Sequence, residues 1–262
     1  MEFSINELGN NGHLGNQMFQ YAFIKAVAKK YNATFCIPPK EVFGKFYYQR
    51  LFSNIDECFD IECNREMKQY PNIHEKYFHY DQDLINNIQG NHNFVGFFQS
   101  EKYFKDIEEE LRSVDFVFKK DIQEECREIV QEYKGSIALH IRRNDFVTNP
   151  NHPVQSNQYY IDALEQFPQD LPVLVFSDDI DWCKKQEMFS DDRFLISETE
   201  NAYFDLYIMS QCDYHIICNS TFSWWGAWLA DSKNVTAPKK WFSGDCINYN
   251  TSDLYLLHWK II

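Results

Sequence analysis

The sequence predicts an α/β fold built on mostly parallel sheets. Short apolar runs alternate with amphipathic segments, which is the pattern of parallel strands joined by crossover helices. Runs such as 137–141 and 173–176 are almost entirely apolar, as expected of strands that are covered on both faces. A chain of 262 residues has room for one large domain or two small ones.

The first half of the chain gives few clear elements. Residues 3–5 and 33–37 are predicted strands, and 17–30 is a predicted helix with apolar residues at helical spacing. Region 40–115 is rich in Phe, Tyr and Asn and has weak periodicity, so the sequence assigns it no elements.

The second half has a sharper pattern, that of a Rossmann-like unit. Its predicted elements are the helices 120–133, 158–167, 202–211 and 221–230 and the strands 137–141, 173–176, 194–197, 214–218 and 235–237.

Composition excludes some partners and compartments. A net charge of −14 opposes binding to nucleic acid or to an anionic membrane surface. Residues 1–20 contain no basic segment followed by an apolar run, and the longest apolar stretch, 222–230, is too short to cross a bilayer. We therefore expect no transmembrane segment and a cytoplasmic location, with peripheral membrane association left open.

The cysteines predict neither a disulfide framework nor a metal site. None of the eight forms Cys-x-x-Cys or a zinc-finger spacing with histidines. Without an export signal, we expect reduced and mostly buried thiols, and we predict no bound metal or cofactor.

The most informative motif is His140-Ile141-Arg142-Arg143-Asn144-Asp145, at the end of a predicted buried strand. Ligands of open α/β sheets bind at the carboxyl ends of the strands. Two guanidiniums there need either carboxylates or an anionic ligand, and a diphosphate matches their planar fork. Taken alone, the pair fits a salt-bridge cluster equally well, and His140 fits a core histidine.

A second motif, Gly9-Asn10-Asn11-Gly12-His13-Leu14-Gly15-Asn16-Gln17, joins a predicted strand to a predicted helix. Glycines let the backbone approach a ligand, and a helix N-terminus offers free N–H groups. A simple turn before a helix would also explain it. The spacing is not G-x-G-x-x-G, so a nicotinamide dinucleotide is not supported.

Two later clusters follow predicted strands. Ser177-Asp178-Asp179 overlaps Asp179-Ile180-Asp181, which matches the Asp-x-Asp pattern of metal-dependent sugar transferases. We nevertheless predict that Asp179 is a helix N-cap. In Asn219-Ser220-Thr221-Phe222-Ser223-Trp224-Trp225-Gly226, hydroxyls stand where they can cap a helix or bind phosphate. We predict that the tryptophans are core residues.

These motifs occur in one order along nearly the whole chain. The strings are Gly15-Asn16-Gln17-Met18-Phe19-Gln20-Tyr21-Ala22, His140-Ile141-Arg142-Arg143-Asn144-Asp145, Tyr159-Tyr160-x-x-Ala163, Phe176-Ser177-Asp178-Asp179, Asn219-Ser220-Thr221-Phe222-Ser223-Trp224-Trp225-Gly226 and Ala237-Pro238-Lys239-Lys240-Trp241. Together they resemble the α-1,2-fucosyltransferases of glycosyltransferase family 11.

The resemblance implies a GT-B-type architecture, with two Rossmann-like domains facing across a cleft. Residues 1–133 would form the acceptor-side domain and 134–262 the GDP-fucose-binding domain. The implied activity is that of an inverting, metal-independent galactoside 2-α-L-fucosyltransferase. It would move L-fucose from GDP-β-L-fucose, the co-substrate, to the 2-hydroxyl of a galactose in an acceptor glycan.

The resemblance also implies site residues. Arg142 would bind the β-phosphate, His140 and Asp205 would lie near the guanine or ribose, and the hydroxyls after residue 219 would lie near the phosphates. The implied donor-binding residues are Asn16, Gln17, His140, Arg142, Arg143, Asp178, Asp205, Ser220, Thr221 and Ser223.

Without a metal, fixed cations and N–H dipoles must stabilise the leaving diphosphate. Arg142 is the predicted catalytic cation. Asp145 is a candidate base for the acceptor hydroxyl, or alternatively only orients Arg143 through an ion pair.

Two other functions fit parts of the sequence. An α-1,6- or protein O-fucosyltransferase would share the arginine motif, although the tryptophan-rich string favours the α-1,2 family. A non-catalytic sugar-binding protein would have no use for both arginines and the hydroxyls of the turn.

Overall fold

The computed structural model describes residues 1–10, 12–39, 41–43, 50–52, 55–199 and 201–262. The α/β fold predicted from the sequence is confirmed. The chain forms two compact units, Met1–Lys119 with Asn250–Tyr255 and Lys120–Tyr249 with Leu256–Ile262. We call them the first and the second unit.

The strands are β1 Glu2–Ser4, β2 Thr34–Ile37, β3 Glu41–Phe43, β4 Arg50–Phe52, β5 Asn64–Arg65, β6 Asn72–His74, β7 His92–Val95, β8 Ile137–Ile141, β9 Val173–Ser177, β10 Phe194–Ile196, β11 Tyr214–Ile216, β12 Asn234–Ala237 and β13 Lys260–Ile261. The α-helices are α1 Leu14–Lys30, α2 Ile55–Cys58, α3 Glu108–Glu110, α4 Lys120–Glu125, α5 Arg127–Glu132, α6 Asn157–Leu164, α7 Ile180–Cys183, α8 Ala202–Met209 and α9 Thr221–Leu229.

The first unit contains a parallel sheet with the strand order β5-β2-β1-β7-β6, and β3 pairs with β4 as a separate antiparallel hairpin. Helix α1 is buried on almost every side. In the core, Phe23 stacks on Phe98 with ring centroids 3.7 Å apart and meets Phe94 and Tyr103 edge-on. Aromatic packing of this kind fits the Phe- and Tyr-rich sequence of region 40–115.

The second unit contains a parallel sheet with the strand order β10-β9-β8-β11-β12-β13. Counted from β8, this is the order 3-2-1-4-5-6 of Rossmann folds, in which the direction of winding reverses between strands 1 and 4. All residues of β8 are buried, so the predicted doubly covered strand is confirmed. The reversal lies between β8 and β11, and ligands of such sheets bind outside the carboxyl ends of these strands.

The units divide at a different position from the predicted one. The sequence places the boundary between residues 133 and 134, whereas the second unit begins at Lys120. The reason is packing, because Cys126, between α4 and α5, lies in one core cluster with Ile208 of α8. The single helix predicted for 120–133 is interrupted at Cys126, where the backbone has φ −90° and ψ −1°.

The other predicted elements of the second half are present, with ends that differ by a few residues at most. The predicted core role of the tryptophans is confirmed, since Trp224, Trp225 and Trp228 are at most 1% exposed. All the cysteines lie among the described residues and none of them is disulfide-bonded there; most are buried.

Candidate active site

The carboxyl edge of the second sheet brings together the motifs that follow its strands. Arg142 and Arg143 follow β8, and the pair Asp178 and Asp179 follows β9. The turn before α9 follows β11. Since β8 and β11 flank the reversal point of the sheet, these motifs lie where an open α/β sheet binds its ligand.

Arg142 is held between two carboxylates. Its Nη2 donates to Asp145 Oδ1 at 2.6 Å, and its Nε lies 3.1 Å from Asp178 Oδ2. The guanidinium carbon lies 5.6 Å from the centre of the Phe146 ring. About a quarter of the side chain, 25%, remains exposed, so the guanidinium is fixed in direction and still accessible to an anion.

Asp145 therefore pairs with a different arginine from the one predicted. The sequence left Asp145 as a catalytic base or as an ion-pair partner of Arg143, but the ion pair is with Arg142, three residues earlier. Asp145 begins a short 3-10 helix, Asp145–Val147, and that turn brings its carboxylate back toward Arg142. Its side chain is 54% exposed.

Arg143 is engaged by the protein itself. Its Nε donates to Asp179 Oδ2 at 3.0 Å, and its guanidinium stacks 4.1 Å from the centre of the Trp182 ring. Its backbone N–H donates to Asp178 Oδ1 at 2.8 Å. Arg143 thus secures its loop to the residues that follow β9, and its side chain is 20% exposed, against 25% for Arg142.

The predicted N-cap role of Asp179 is confirmed. Its Oδ1 accepts the backbone N–H of Trp182 at 3.1 Å at the start of α7. In the part of the chain that the structure describes, no group of three or more His, Cys, Asp or Glu is placed to hold a metal ion. A reaction that needs no metal stays a prediction.

His140 lies beneath the arginines, only 6% exposed. Its Nδ1 is 3.2 Å from Cys218 Sγ, and its ring lies 5.5 Å from that of Phe222. Burial, together with the charge of Arg142, lowers the pKa of His140 to about 3. The ring is therefore neutral at physiological pH.

The turn before α9 presents hydroxyls at a helix N-terminus. Ser220 is the N-cap, and its Oγ accepts the N–H of Phe222 at 3.3 Å. Ser223 is 1% exposed, and its Oγ donates to the carbonyl of Ser220. Thr221 is partly exposed in the first turn. The hydroxyl residues that this turn leaves partly exposed are therefore Ser220 and Thr221, while Ser223 is buried and bonded to Ser220.

Asp205, on α8, lies beside a pocket at the end of β10. Its Oδ1 accepts the hydroxyls of Ser197 and Thr199, each at 2.7 Å. Burial raises the pKa of Asp205. The pocket has a volume of about 370 Å³, and its lining includes Ser197 and Thr199 together with apolar residues such as Leu174 and Phe176.

At the first sheet, the predicted glycine motif covers the end of β1. Gly12 has φ +90°, and a Cβ there would lie 2.0 Å from Asn16 Nδ2, so the site requires glycine. The Oδ1 atom of Asn16 accepts Gln99 Nε2 at 3.0 Å. Asn16 is thus folded against Gly12 and tied to the loop that follows β7.

Gln17, one of the implied donor-binding residues, makes a contact within the first unit. The side chain is fully buried, and its Oε1 accepts the N–H of Ile55 at 3.1 Å. Gln17 thereby anchors the start of α2. Of the two amide residues among the implied donor-binding residues, Asn16 and Gln17, only Asn16 is partly exposed.

Sequence reasoning missed Glu75, which follows β6. Its two oxygens accept the N–H groups of Phe97 and Phe98 at 2.8 and 3.0 Å. Phe98 has the left-handed φ of 56°, which is unusual for a bulky residue. Burial raises the pKa of Glu75 to about 7. A lone Glu in an unassigned region gives no sequence signal of this role.

Two Rossmann-like units with a parallel sheet each define the GT-B class of glycosyltransferase folds, as expected from the sequence. The chain belongs to glycosyl transferase family 11, whose model matches residues 2–262. The family predicted from the motifs is thereby confirmed.

Individual relatives are similar over different shares of the chain. An alpha-1,2-colitosyltransferase from Escherichia coli is 34% identical over 272 residues, covering 90% of this chain and 92% of that protein. A galactoside 2-alpha-L-fucosyltransferase from Caenorhabditis elegans is 29% identical over 153 residues, covering 53% of this chain and 42% of that protein.

A solved structure supports the fold. The crystal structure of POFUT1 in complex with GDP-fucose has a TM-score of 0.55 and 14% sequence identity, and the match covers 90% of this chain and 97% of that one. At this identity the likeness shows the fold alone. Among the described residues, no helix has the length and apolar character needed to cross a membrane.

Proposed function

We propose that this protein is an inverting galactoside 2-α-L-fucosyltransferase that uses GDP-β-L-fucose and requires no metal. The observation that carries the proposal is the position of Arg142, fixed by two carboxylates and still accessible at the reversal point of the second sheet. The C. elegans relative, by its name, transfers fucose to a galactoside.

Departure of the diphosphate is the step that this edge would assist. As the bond from the anomeric carbon to the phosphate oxygen breaks, negative charge develops on the diphosphate. Arg142 supplies a fixed cation for that charge, and the N-terminus of α9 supplies N–H groups, the positive end of its dipole and the hydroxyls of Ser220 and Thr221.

The nucleoside would be recognised at Asp205. Guanine carries an N1–H and a 2-amino group, two donors that a carboxylate accepts well. Oδ1 of Asp205 already accepts two hydroxyls, and its Oδ2 is the oxygen that we assign to the guanine. The neighbouring apolar pocket of about 370 Å³ offers room for a purine ring.

Asp145 is assigned a positioning role. In a single displacement with inversion, the proton acceptor lies on the face of the sugar opposite the leaving group. Asp145 is bonded to Arg142, the cation assigned to the leaving group, so it lies on the wrong side for a base. Its proposed role is to hold Arg142 toward the diphosphate.

A second donor is favoured by one observation. The E. coli relative, 34% identical, is named an alpha-1,2-colitosyltransferase, and colitose is L-fucose without its 3-hydroxyl. Transfer of colitose from GDP-colitose is therefore the second candidate function, with the same nucleotide and the same linkage.

The test is a transfer assay with each GDP-sugar and a set of galactose-terminated oligosaccharides, followed by NMR analysis of the linkage. We expect an α-1,2-linked fucosyl product, formed at the same rate in EDTA. Activity that is lost in EDTA and restored by manganese would contradict the metal-free reaction. Another linkage, or transfer of colitose only, would replace the proposed activity.

A further inference from the structure

Cys218 and His140 meet at the reversal point of the second sheet. In the register of the two strands Leu139 pairs with Ile216, so His140 is the next residue of β8 and Cys218 lies just beyond the end of β11. Both side chains are buried, and Cys218 Sγ lies 3.2 Å from His140 Nδ1. The pair joins the two strands that flank the proposed phosphate site.

The direction of this hydrogen bond follows from the charge states. Burial lowers the pKa of His140 to about 3 and raises that of Cys218 to about 12, so a neutral imidazole meets a neutral thiol. An unprotonated imidazole nitrogen is a good acceptor, whereas thiol sulfur is a weak one. The favoured arrangement has Sγ–H donating to Nδ1, which leaves the ring proton on Nε2.

We propose that Cys218 is a positioning residue that keeps His140 in the Nε2–H form, so that the ring offers an N–H donor to an oxygen of the bound nucleotide. For the identity of this ligand, the proposal rests on the function proposed above. In the opposite tautomer Nε2 would carry a lone pair, which repels a phosphate oxygen and cannot donate to a ribose hydroxyl. Within the described residues, Nε2 of His140 has no hydrogen-bond partner.

The experiment measures the tautomer directly. Histidine ¹⁵N shifts of the full chain report which nitrogen of His140 carries the proton, and His140→Gln identifies the signal. We expect the Nε2–H form in the wild type and in Cys218→Ser, whose hydroxyl also donates. Cys218→Val has no donor, and we expect the ring of His140 to populate the Nδ1–H form in this variant.

GDP affinity, measured by calorimetry, gives the functional readout. We expect binding about tenfold weaker in Cys218→Val and restored in Cys218→Ser, because one hydrogen bond to the nucleotide depends on the tautomer. Cys212→Val is the control, since Cys212 is a buried thiol bonded to the carbonyl of Ile208.

The proposal is overturned by an Nδ1–H form in the wild type. It is also overturned if Cys218→Val keeps the wild-type tautomer, or if it keeps the wild-type GDP affinity. If the wild type binds no GDP, the proposed function fails, whereas the NMR measurement still decides the role of Cys218. The wild-type measurement needs only the assignment from His140→Gln, so an Nδ1–H form in the wild type overturns the proposal even if Cys218→Val fails to fold.

Discussion

The two sheets present different chemistry at the carboxyl ends of their strands. At the second sheet the side chains are arginines, carboxylates and hydroxyls, centred on Arg142. At the first sheet they are mainly amides, with Asn16 bonded to Gln99 and Gln20 donating to the carbonyl of Gly96. We call these the ionic edge, at the second sheet, and the amide edge, at the first sheet. The ionic edge suits a diphosphate. The amide edge suits neutral hydroxyl groups, because amides can both donate to them and accept from them.

The largest effect should come from removing the cation of the ionic edge. We expect Arg142→Ala to lower kcat by about 10²–10³, the usual loss for one preorganised group that stabilises developing charge. Arg142→Lys should recover little, because lysine keeps the charge but loses the planar fork. Arg193→Lys, before β10, is the matched control. Steady-state kinetics at saturating GDP-fucose decide, and turnover near the wild type in Arg142→Ala would end the assignment.

A smaller effect is expected from Asp145→Asn. The change removes one of the two carboxylates that hold Arg142, so we expect GDP to bind about tenfold more weakly, with a modest change in kcat. Asp181→Asn, an exposed residue of the same unit, controls for the lost charge. If kcat instead falls by about 10²–10⁴ at constant GDP affinity, Asp145 is the catalytic base after all.

Asp205→Asn tests the nucleoside end of the ionic edge. A carboxylate that accepts from the 2-amino group of guanine should favour GDP over inosine diphosphate, which lacks that group. We expect the variant to lose about tenfold in GDP affinity and most of its preference for GDP. Calorimetry with both nucleotides measures this, with Asp213→Asn as the control. If the variant keeps its preference for GDP, Asp205 does not recognise the guanine.

Gly12→Ala tests the amide edge, with Gly90→Ala as its match. Both glycines have positive φ, +90° and +79°, but only at Gly12 would a Cβ meet another side chain, that of Asn16. Both variants should lose about 1–2 kcal/mol of stability from the backbone. Only Gly12→Ala should also lower kcat/KM, by about fivefold. Equal kinetics in the two variants would show that Asn16 has no part in the reaction.

The smallest effect concerns Glu75, and it appears in the pH dependence of stability. Burial raises the pKa of Glu75 in the folded protein to about 7 from 4.5, so the folded state binds the proton more tightly than the unfolded one. Its contribution to stability is full below about pH 4.5 and is lost as the pH rises through about 7. Thermal unfolding of Glu75→Gln should therefore show a weaker decline in Tm over this range than the wild type.

Glu62→Gln is the control for that experiment, because Glu62 is exposed. If Glu75→Gln and Glu62→Gln follow the wild-type decline equally, the carboxylate of Glu75 does not titrate in this range.

Strands β8 and β9 of the second unit were predictable because each has five residues, nearly all of them apolar and buried. Strand β8 is apolar through most of its length and buried throughout, and the tryptophan string of α9 forms core. Among the described residues of region 40–115 the strands have only two to four residues, too few to show a period of two above chance. The region therefore stayed unassigned.

The site was predicted as a set of residues more readily than as a set of contacts. The sequence places Arg142, Arg143 and Asp145 together. As an alternative to a base it offers Asp145 an ion pair with Arg143, whereas the pair is with Arg142, since that depends on one short helical turn. The bond from Phe97 to Glu75 joins residues 22 positions apart, and such pairings arise only from the folded topology.

Residues Asn250–Tyr255 belong to the first unit although they follow most of the second in sequence. There, Asp253 accepts the backbone N–H of Tyr80 at 3.1 Å and pairs with Lys102. During synthesis on the ribosome, the first unit cannot form these contacts until every strand of the second sheet except β13 has been synthesised. Its final packing is therefore a late event in biosynthesis, and a fragment ending at Lys119 would lack a part of its own surface.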